Sequence, residues 1–189
     1  GKRNYRDVAL FFQDEDNIIG TAFMPYVQNV AGLTSVNYRA EPYKFREEQG
    51  CSIGKIFQPC AVDKPEDPVT PLIEAHAGDA VRIHVIGANS EQNGMFGVEG
   101  HEWPIEPYMP GADQISVVEY AGSEVLDVFI RGGAGGPFRQ VGDFVWSNAR
   151  LPYTQSGQWG YLRVLPTGDS RIQPLSASGA GARQAEVLP

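Results

Sequence analysis

Few side chains in this sequence could carry chemistry: three histidines, two cysteines and scattered carboxylates. Glu99 and His101 lie two residues apart, a spacing that puts both on the same face of a β-strand, and Glu102 and Glu106 follow closely. Carboxylate and imidazole groups arranged in this way could bind a hard or borderline divalent cation. Glu99 and His101 are therefore weak candidates for a metal site, and a purely structural histidine is the simpler interpretation of His101.

The cysteines, Cys51 and Cys60, lie in a loop-like stretch that has neither a CxxC motif nor a nearby histidine. Protein zinc sites need such ligands close together, so a local disulfide is the better interpretation. A disulfide would indicate an oxidising compartment, whereas two reduced, buried thiols would fit a cytosolic protein. The sequence contains no GxSxG motif, so it offers no nucleophile elbow.

The elements that must position these side chains are predicted to be strands. Short apolar segments recur between turn signals, and no segment longer than about ten residues keeps a helical period. The predicted strands are residues 7–13, 35–39, 72–76, 80–86, 95–103, 114–120, 124–130, 143–147 and 160–165. The acidic run from Asp14 to Asn17 is expected to be a solvated turn. The glycine-rich segment 131–137 lacks the lysine and the serine or threonine of a phosphate loop, and is expected to be a mobile hairpin loop.

The composition agrees with an all-β chain, since 42% of its 189 residues are hydrophobic and it contains 22 glycines and 14 prolines. The net charge of -8 argues against nucleic acid and anionic membrane surfaces as partners, and no apolar run is long enough for a membrane span. Residues 1–166 are predicted to form a single domain, with a loop insertion at 45–71 that carries both cysteines. Residues 167–189 are predicted to be a flexible tail or interdomain linker.

Four segments follow one another in a recognisable order. They are SVNYR at 35–39, TPLIEAHAGDAVRIHVIGAN at 70–89, FGVEGHEW at 96–103 and GDFVWSNARLPYTQSGQWGYLRVL at 142–165. In this order they resemble the cupredoxin domains of large bacterial multicopper oxidases, over most of the chain. The resemblance implies an all-β, cupredoxin-like Greek-key β-sandwich. It also implies a parent protein that is a copper-dependent oxidoreductase, coupling oxidation of a substrate to reduction of oxygen.

The resemblance further implies a set of copper positions that this sequence does not keep. The closing motif of the family, HCHIxxHxxxGM, aligns without a gap when its GM is set at Gly157 and Gln158. Its ligand-bearing positions then carry Ser147, Asn148, Ala149 and Tyr153. With an asparagine in place of the thiolate, the soft ligand of a blue-copper site is missing. Gln158 alone among these residues could still act as a ligand.

The upstream motif, HxxHxHGH, gives the same result. Anchored on Gly100 and His101, it places Gly94, Gly97 and Glu99 at the three histidine positions that serve copper in the family. Three histidines in the whole chain cannot supply a trinuclear copper cluster. The resemblance therefore implies copper in the parent family, and no copper, other cofactor or catalytic residue in this segment.

Aromatic residues lie on the strands that would carry copper in a catalytic relative, among them Trp103, Trp146, Tyr153 and Trp159. They could pack in the core, or they could form an exposed binding surface for a partner protein or a glycan. The leading hypothesis is a copper-free cupredoxin domain of an extracellular or periplasmic multicopper-oxidase-type protein, which docks neighbouring cupredoxin domains or subunits that bear copper. The alternative is a free-standing extracellular binding module that uses the aromatic face.

Overall fold

Eleven β-strands and three short helical segments form the regular structure of the residues that the computed structural model describes, which are 4–14, 34–58, 67–89 and 92–175. The strands are β1 (Arg6–Asp14), β2 (Thr34–Val36), β3 (Ile73–His76), β4 (Val81–Asn89), β5 (Gly94–Val98), β6 (Trp103–Pro104), β7 (Gln114–Ile115), β8 (Val117–Tyr120), β9 (Val125–Phe129), β10 (Gly142–Asn148) and β11 (Trp159–Leu165). The helices are α1 (Tyr43–Glu48), a 3-10 helix (Ile53–Lys55) and α2 (Leu151–Gln155).

The strands form two main sheets and one short ribbon. The first sheet has the order β2-β1-β4-β9, the second has the order β3-β11-β10-β5-β8, and β6 pairs with β7 in the ribbon. Most neighbouring strands are antiparallel, but β1 runs parallel to β4, and β3 runs parallel to β11. These two parallel pairs join segments that are far apart in the sequence, so both sheets depend on long-range contacts.

The two sheets face each other across one hydrophobic core. Along β4 the side chains alternate, so that Val81, Ile83 and Val85 are buried while Arg82 and His84 lie on the outer face. Rings from both sheets meet in the middle of the sandwich: the rings of Phe12 on β1 and Phe96 on β5 lie 5.9 Å apart. The all-β sandwich predicted from the sequence is confirmed.

The segment between β2 and β3 covers part of the outer face of the second sheet. Trp159 and Tyr161 on β11 point away from the main core, and they pack in a second cluster with Cys51 and Ile56. The Trp159 Nε1 atom donates a hydrogen bond of 2.7 Å to the Glu41 carbonyl oxygen, which fixes the segment to the sheet. The described part of this insertion is therefore a layer of the domain, built from α1 and the 3-10 helix.

The glycine-rich segment 131–137 is an ordered turn, and the prediction of a mobile hairpin loop is wrong. Ala134 is fully buried, its N–H donates to the Asp79 carbonyl oxygen at 2.8 Å, and its carbonyl accepts from Gly78 N–H at 2.9 Å. Gly133 has a φ of +80°, and a Cβ there would lie 2.5 Å from the Asp79 oxygen. The glycines are needed because the turn lies directly against neighbouring backbone.

Each of the nine predicted strands appears in the structure, and two of them are divided. The predicted strand 95–103 is interrupted by a turn at Glu99 and Gly100, and the predicted strand 114–120 is interrupted at Ser116. The predicted tail begins with residues that contact the sandwich, since the Asp169 carbonyl oxygen lies 2.8 Å from His76 Nε2. Residues 176–189 lie outside the described part of the chain, so the domain division stays a prediction. None of the described helices is long and apolar enough to cross a membrane.

Candidate functional site

The positions of the two copper motifs separate into two groups, on opposite faces of the second sheet. Asn148 ends β10 and pairs with Phe96, so its side chain points into the sandwich. Ser147 and Gly97 pair with each other on the outer face. Gly94, Tyr153 and Gln158 lie on the same side as Asn148. These four residues form the inner group, and their surroundings decide whether a metal would fit.

The Asn148 amide is fully hydrogen-bonded, and its neighbours determine its orientation. Its Oδ1 atom accepts from two backbone N–H groups, those of Met95 at 3.1 Å and Arg150 at 3.2 Å. Its Nδ2 atom therefore faces the other way, donating to the Tyr120 hydroxyl oxygen at 3.1 Å and to Gln158 Oε1 at 2.8 Å. The atoms that face the interior are thus N–H donors, which cannot coordinate a metal.

Gln158 was the one motif residue that could still act as a ligand, and its oxygen is already engaged. Its Oε1 atom accepts from Asn148, while its Nε2 atom donates to the carbonyl oxygens of Gln13 at 2.9 Å and Ser35 at 3.4 Å. The side chain is only 1% exposed. Gln158 therefore joins β10 to β1 and β2 through hydrogen bonds.

Tyr153 belongs to the same buried network. It lies on α2, is 4% exposed, and donates from its hydroxyl to Asp14 Oδ2 at 2.9 Å. Asp14 ends β1 and is itself buried, so the expectation that it belongs to a solvated turn is wrong. Burial, together with the nearby Tyr153 and Asp14, holds the pKa of Tyr120 far above its usual range, so that the Tyr120 hydroxyl stays neutral.

The side chains of the inner group do not fit copper. A blue-copper site needs a thiolate and imidazoles, and these positions carry an amide donor, an engaged amide oxygen and a phenol bonded to a carboxylate. Among the described residues, no group of three or more His, Cys, Asp or Glu side chains is arranged to hold a metal ion. The network therefore serves to join strands through hydrogen bonds between protein groups.

Glu99 and His101 do not share a strand face, because β5 ends at Val98 and Glu99 lies in the turn that follows. Glu99 is exposed, whereas His101 is 2% exposed, and both nitrogens of its ring are engaged. His101 Nδ1 lies 2.8 Å from the Glu99 carbonyl oxygen, and Nε2 accepts from Gly135 N–H at 3.1 Å. Burial lowers the pKa of His101, which favours the neutral ring that these contacts require.

The aromatic residues proposed as a binding surface are buried. The exposed fractions are 2% for Trp103, 0% for Trp146, 4% for Tyr153 and 0% for Trp159, so of the two alternatives these residues pack inside the protein and do not form an exposed face. Trp146 fits inside because residue 160, opposite it on β11, is a glycine. A Cβ atom added at Gly160 would lie 2.3 Å from the indole ring. Trp103 and Trp146 belong to the main core, whereas Trp159 is buried in the second cluster and Tyr153 is buried on α2.

Cys51 is buried beside Trp159, and Cys60 lies outside the described residues. The disulfide between them therefore stays a prediction.

Comparison with solved structures identifies the architecture that holds this network. A multicopper oxidase matches with 12% sequence identity and a TM-score of 0.53, over 87% of this chain and 46% of that chain. The blue copper oxidase from Nitrosomonas europaea matches with 13% identity and a TM-score of 0.52, over 84% and 43%. The fold of this chain is cupredoxin-like.

A laccase from Botrytis aclada matches with 15% identity and a TM-score of 0.51, over 94% of this chain and 32% of that chain. The cupredoxin-like chain therefore spans less than half the length of each of these three structures. No family model and no curated protein matches the sequence. At these low sequence identities, what this chain shares with the three solved structures is the fold.

Two residues of the network were missed by the sequence analysis. Tyr120 lies outside both motifs, and only the register of β5 with β8 places it opposite Gly94. Asp14 reads as part of an acidic run, and nothing in its local sequence indicates a buried carboxylate. The parallel pairing of β1 with β4 brings the end of β1 into the sandwich, close to α2. Neither contact has a signal in the local sequence pattern.

Proposed function

We propose that this chain is a copper-free domain of a multicopper-oxidase-type oxidoreductase, and that it acts as a structural and docking module for copper-bearing domains elsewhere in the protein. The observation that carries the proposal is the Asn148 amide. It stands where the family motif has its thiolate, and its N–H groups bond to Tyr120 and Gln158. A residue held in this way supports the fold and offers no ligand to copper.

A row of apolar side chains on the outer face of the first sheet supports the docking role. Phe11, Ile86 and Val125 are aligned in register across β1, β4 and β9. Phe11 is 42% exposed and Val125 is 62% exposed, and Ile86 lies half-buried between them. Contiguous exposed apolar side chains are a common mark of an interaction surface.

The occupant that we propose for this apolar row is a neighbouring cupredoxin domain of the same protein. The solved structures that share the fold have chains more than twice as long as the part that this chain matches. Domains within one chain meet through moderate interfaces, of roughly 600–1,500 Å², which a flat sheet face can provide.

The absence of copper is tested by metal analysis of the purified chain after incubation with excess Cu(II) and removal of unbound metal. We expect far less than one copper per chain and no intense visible band of a thiolate–copper centre. Stoichiometric copper together with that band would refute the proposal. The control is a chain unfolded in urea, which reports adventitious binding.

The docking role is tested in the full-length protein with Val125→Lys, which places a charge at the β9 end of the apolar row, on its most exposed member. We expect this domain to unfold in a separate, earlier transition, because a buried, unpaired ammonium is strongly unfavourable. Val141→Lys is the matched control, since Val141 is also exposed, at 50%, and lies in a loop outside the row. Equal behaviour of the two variants would exclude the row as the interface.

An extracellular or periplasmic location and a Cys51–Cys60 disulfide are parts of the same proposal. Disulfides form and persist in oxidising compartments, so the location and the disulfide depend on each other. The reading frame of the natural gene separates the proposal from its alternative. Flanking cupredoxin domains with intact histidine motifs would support a docking module, whereas a signal peptide followed by this domain alone would support a free-standing binding module.

A further inference from the structure

The inner group of motif positions converges on one side chain that belongs to neither motif. Tyr120, on β8, is 1% exposed, and its hydroxyl oxygen accepts a hydrogen bond of 3.1 Å from Asn148 Nδ2. Asn148 also bonds to Gln158, so two of the four inner positions are joined within one hydrogen bond of Tyr120. The third position, Gly94, faces Tyr120 across the strand pair, and the fourth, Tyr153, is near enough to raise the pKa of Tyr120.

Gly94 and Tyr120 are direct cross-strand partners on β5 and β8. An ideal Cβ on Gly94 would lie 2.1 Å from Tyr120 Cζ and 2.2 Å from its hydroxyl oxygen. These distances are far below van der Waals contact, so the phenol ring fills the space that any side chain at position 94 would need. The ring is held there by Phe12, whose centroid lies 5.1 Å away.

The hydroxyl group also has the environment of a fixed, neutral group. Burial comes first among the causes that raise the pKa of Tyr120, and the nearby Tyr153 and Asp14 add to it. The oxygen of this neutral phenol accepts the Asn148 N–H bond of 3.1 Å. The bond links β8 to β10, and Asn148 also bonds to Gln158, the residue that precedes β11.

We propose that Tyr120 takes the place of the metal: its ring fills the position between the former ligands, and its hydroxyl joins strands that a copper ion would have joined. The inference rests on the proposed copper-free function, and it adds which residue excludes the metal. It follows that restoring the ligands alone does not restore a copper site, because a histidine at position 94 would overlap the Tyr120 ring where it now lies.

The experiment compares two ligand-restored variants of the whole chain. The first carries Gly94→His, Asn148→Cys and Tyr153→His and keeps Tyr120, and the second adds Tyr120→Ala. Copper binding is followed by calorimetry and by the visible thiolate-to-copper band. We expect the second variant to bind one copper with the visible band, and the first variant to bind it at least roughly 10–100-fold more weakly, the scale on which changes around metal ligands act. Equal copper binding by the two variants would overturn the role of Tyr120.

A second measurement on the natural sequence covers the case in which a restored variant fails to fold. Tyr120→Phe removes only the hydroxyl oxygen and leaves the Asn148 N–H without that acceptor. We expect the midpoint of thermal unfolding to fall by roughly 3–10 °C, and amide hydrogen exchange at the end of β10 to become faster. Tyr161→Phe is the control, because Tyr161 is a buried tyrosine of the second cluster, and we expect its midpoint to change little.

A Tyr120→Phe variant as stable as the Tyr161→Phe control would refute the structural part of the proposal. These outcomes differ from failure of the proposed function, which would appear as stoichiometric copper in the unaltered chain. The unaltered chain could bind no copper while the Tyr120 variants show no effect. That result would leave the proposed function intact and refute the replacement of the metal by Tyr120.

Discussion

Replacing Gly133 by alanine tests whether the glycine-rich turn is as closely packed as the structure shows. Gly133 has a φ of +80°, and an added Cβ would lie 2.5 Å from the Asp79 carbonyl oxygen and 2.8 Å from that of Gly78. Both oxygens belong to backbone, which cannot move aside as a flexible side chain would. The turn would therefore have to shift away from its contacts.

The expected loss of stability has two parts. Alanine in the left-handed region costs about 1–2 kcal/mol relative to glycine. Displacing the turn also weakens the two hydrogen bonds that tie Ala134 to Gly78 and Asp79, each worth about 1 kcal/mol. The sum is about 3–4 kcal/mol, which for a domain of this size lowers the unfolding midpoint by roughly 6–16 °C.

Gly111→Ala provides the control, because Gly111 has nearly the same φ, +83°, and nothing within 4 Å of its ideal Cβ. It should lose only the backbone part, about 1–2 kcal/mol. Urea unfolding of both variants, fitted with a common m-value, gives the two free energies of unfolding. If the two variants lose the same stability, the turn is not packed against residues 78 and 79, and the argument for its order fails.

Three further predictions concern ionisation and oxidation. Because burial lowers the pKa of His101, the unfolded chain binds a proton below pH ~6.5 that the folded chain does not bind. The free energy of unfolding should therefore fall below that pH by up to ~1.4 kcal/mol per pH unit. His101→Gln should flatten the plot of urea midpoint against pH in this range. Burial, with the Glu99 carboxylate adding to it, raises the pKa of Tyr43 to about 12. The free energy of unfolding should therefore fall between pH ~10 and 12, where the unfolded chain loses the Tyr43 proton and the folded chain keeps it. Tyr43→Phe should reduce the dependence of stability on pH in this range, and an unchanged dependence would contradict the raised pKa of Tyr43. If Cys51 and Cys60 are paired, reduction should add the mass of two hydrogens and lower stability by about 2–3 kcal/mol, whereas an unchanged intact mass would disprove the disulfide.

The fold could be predicted from the sequence because strand signals are local. The alternation of Val81, Ile83 and Val85 with polar neighbours indicates a half-buried strand, and the structure buries those three residues. The four motifs in order added the fold type. The two divided strands show the limit of such signals, since the turn at Glu99 and Gly100 separates two buried residues, Val98 and Trp103, that a single strand would also bury.

The candidate site could be predicted only in part. The loss of ligands at Gly94 and Asn148 can be read from the motifs, because a missing thiolate or imidazole is visible in the sequence. What replaced the ligands could not be read, because Tyr120 and Asp14 reach the site through pairings between distant segments. The order of the glycine-rich turn could not be predicted for a similar reason, because it comes from contacts with residues 78, 79 and 101.

The positions of β1 and β11 have a consequence for how the domain acquires its structure during synthesis. The first described strand lies between β2 and β4, and the final strand lies between β3 and β10. Until β11 has left the ribosome, β3 has no strand partner and β10 exposes an edge, although the residues for every other strand are already present. Unpaired edges of this kind are prone to aggregation, and contacts between distant segments form slowly. We therefore expect the domain to complete its folding in one late step, once β11 has been synthesised, and a nascent chain that stalls before residue 159 to depend on chaperones.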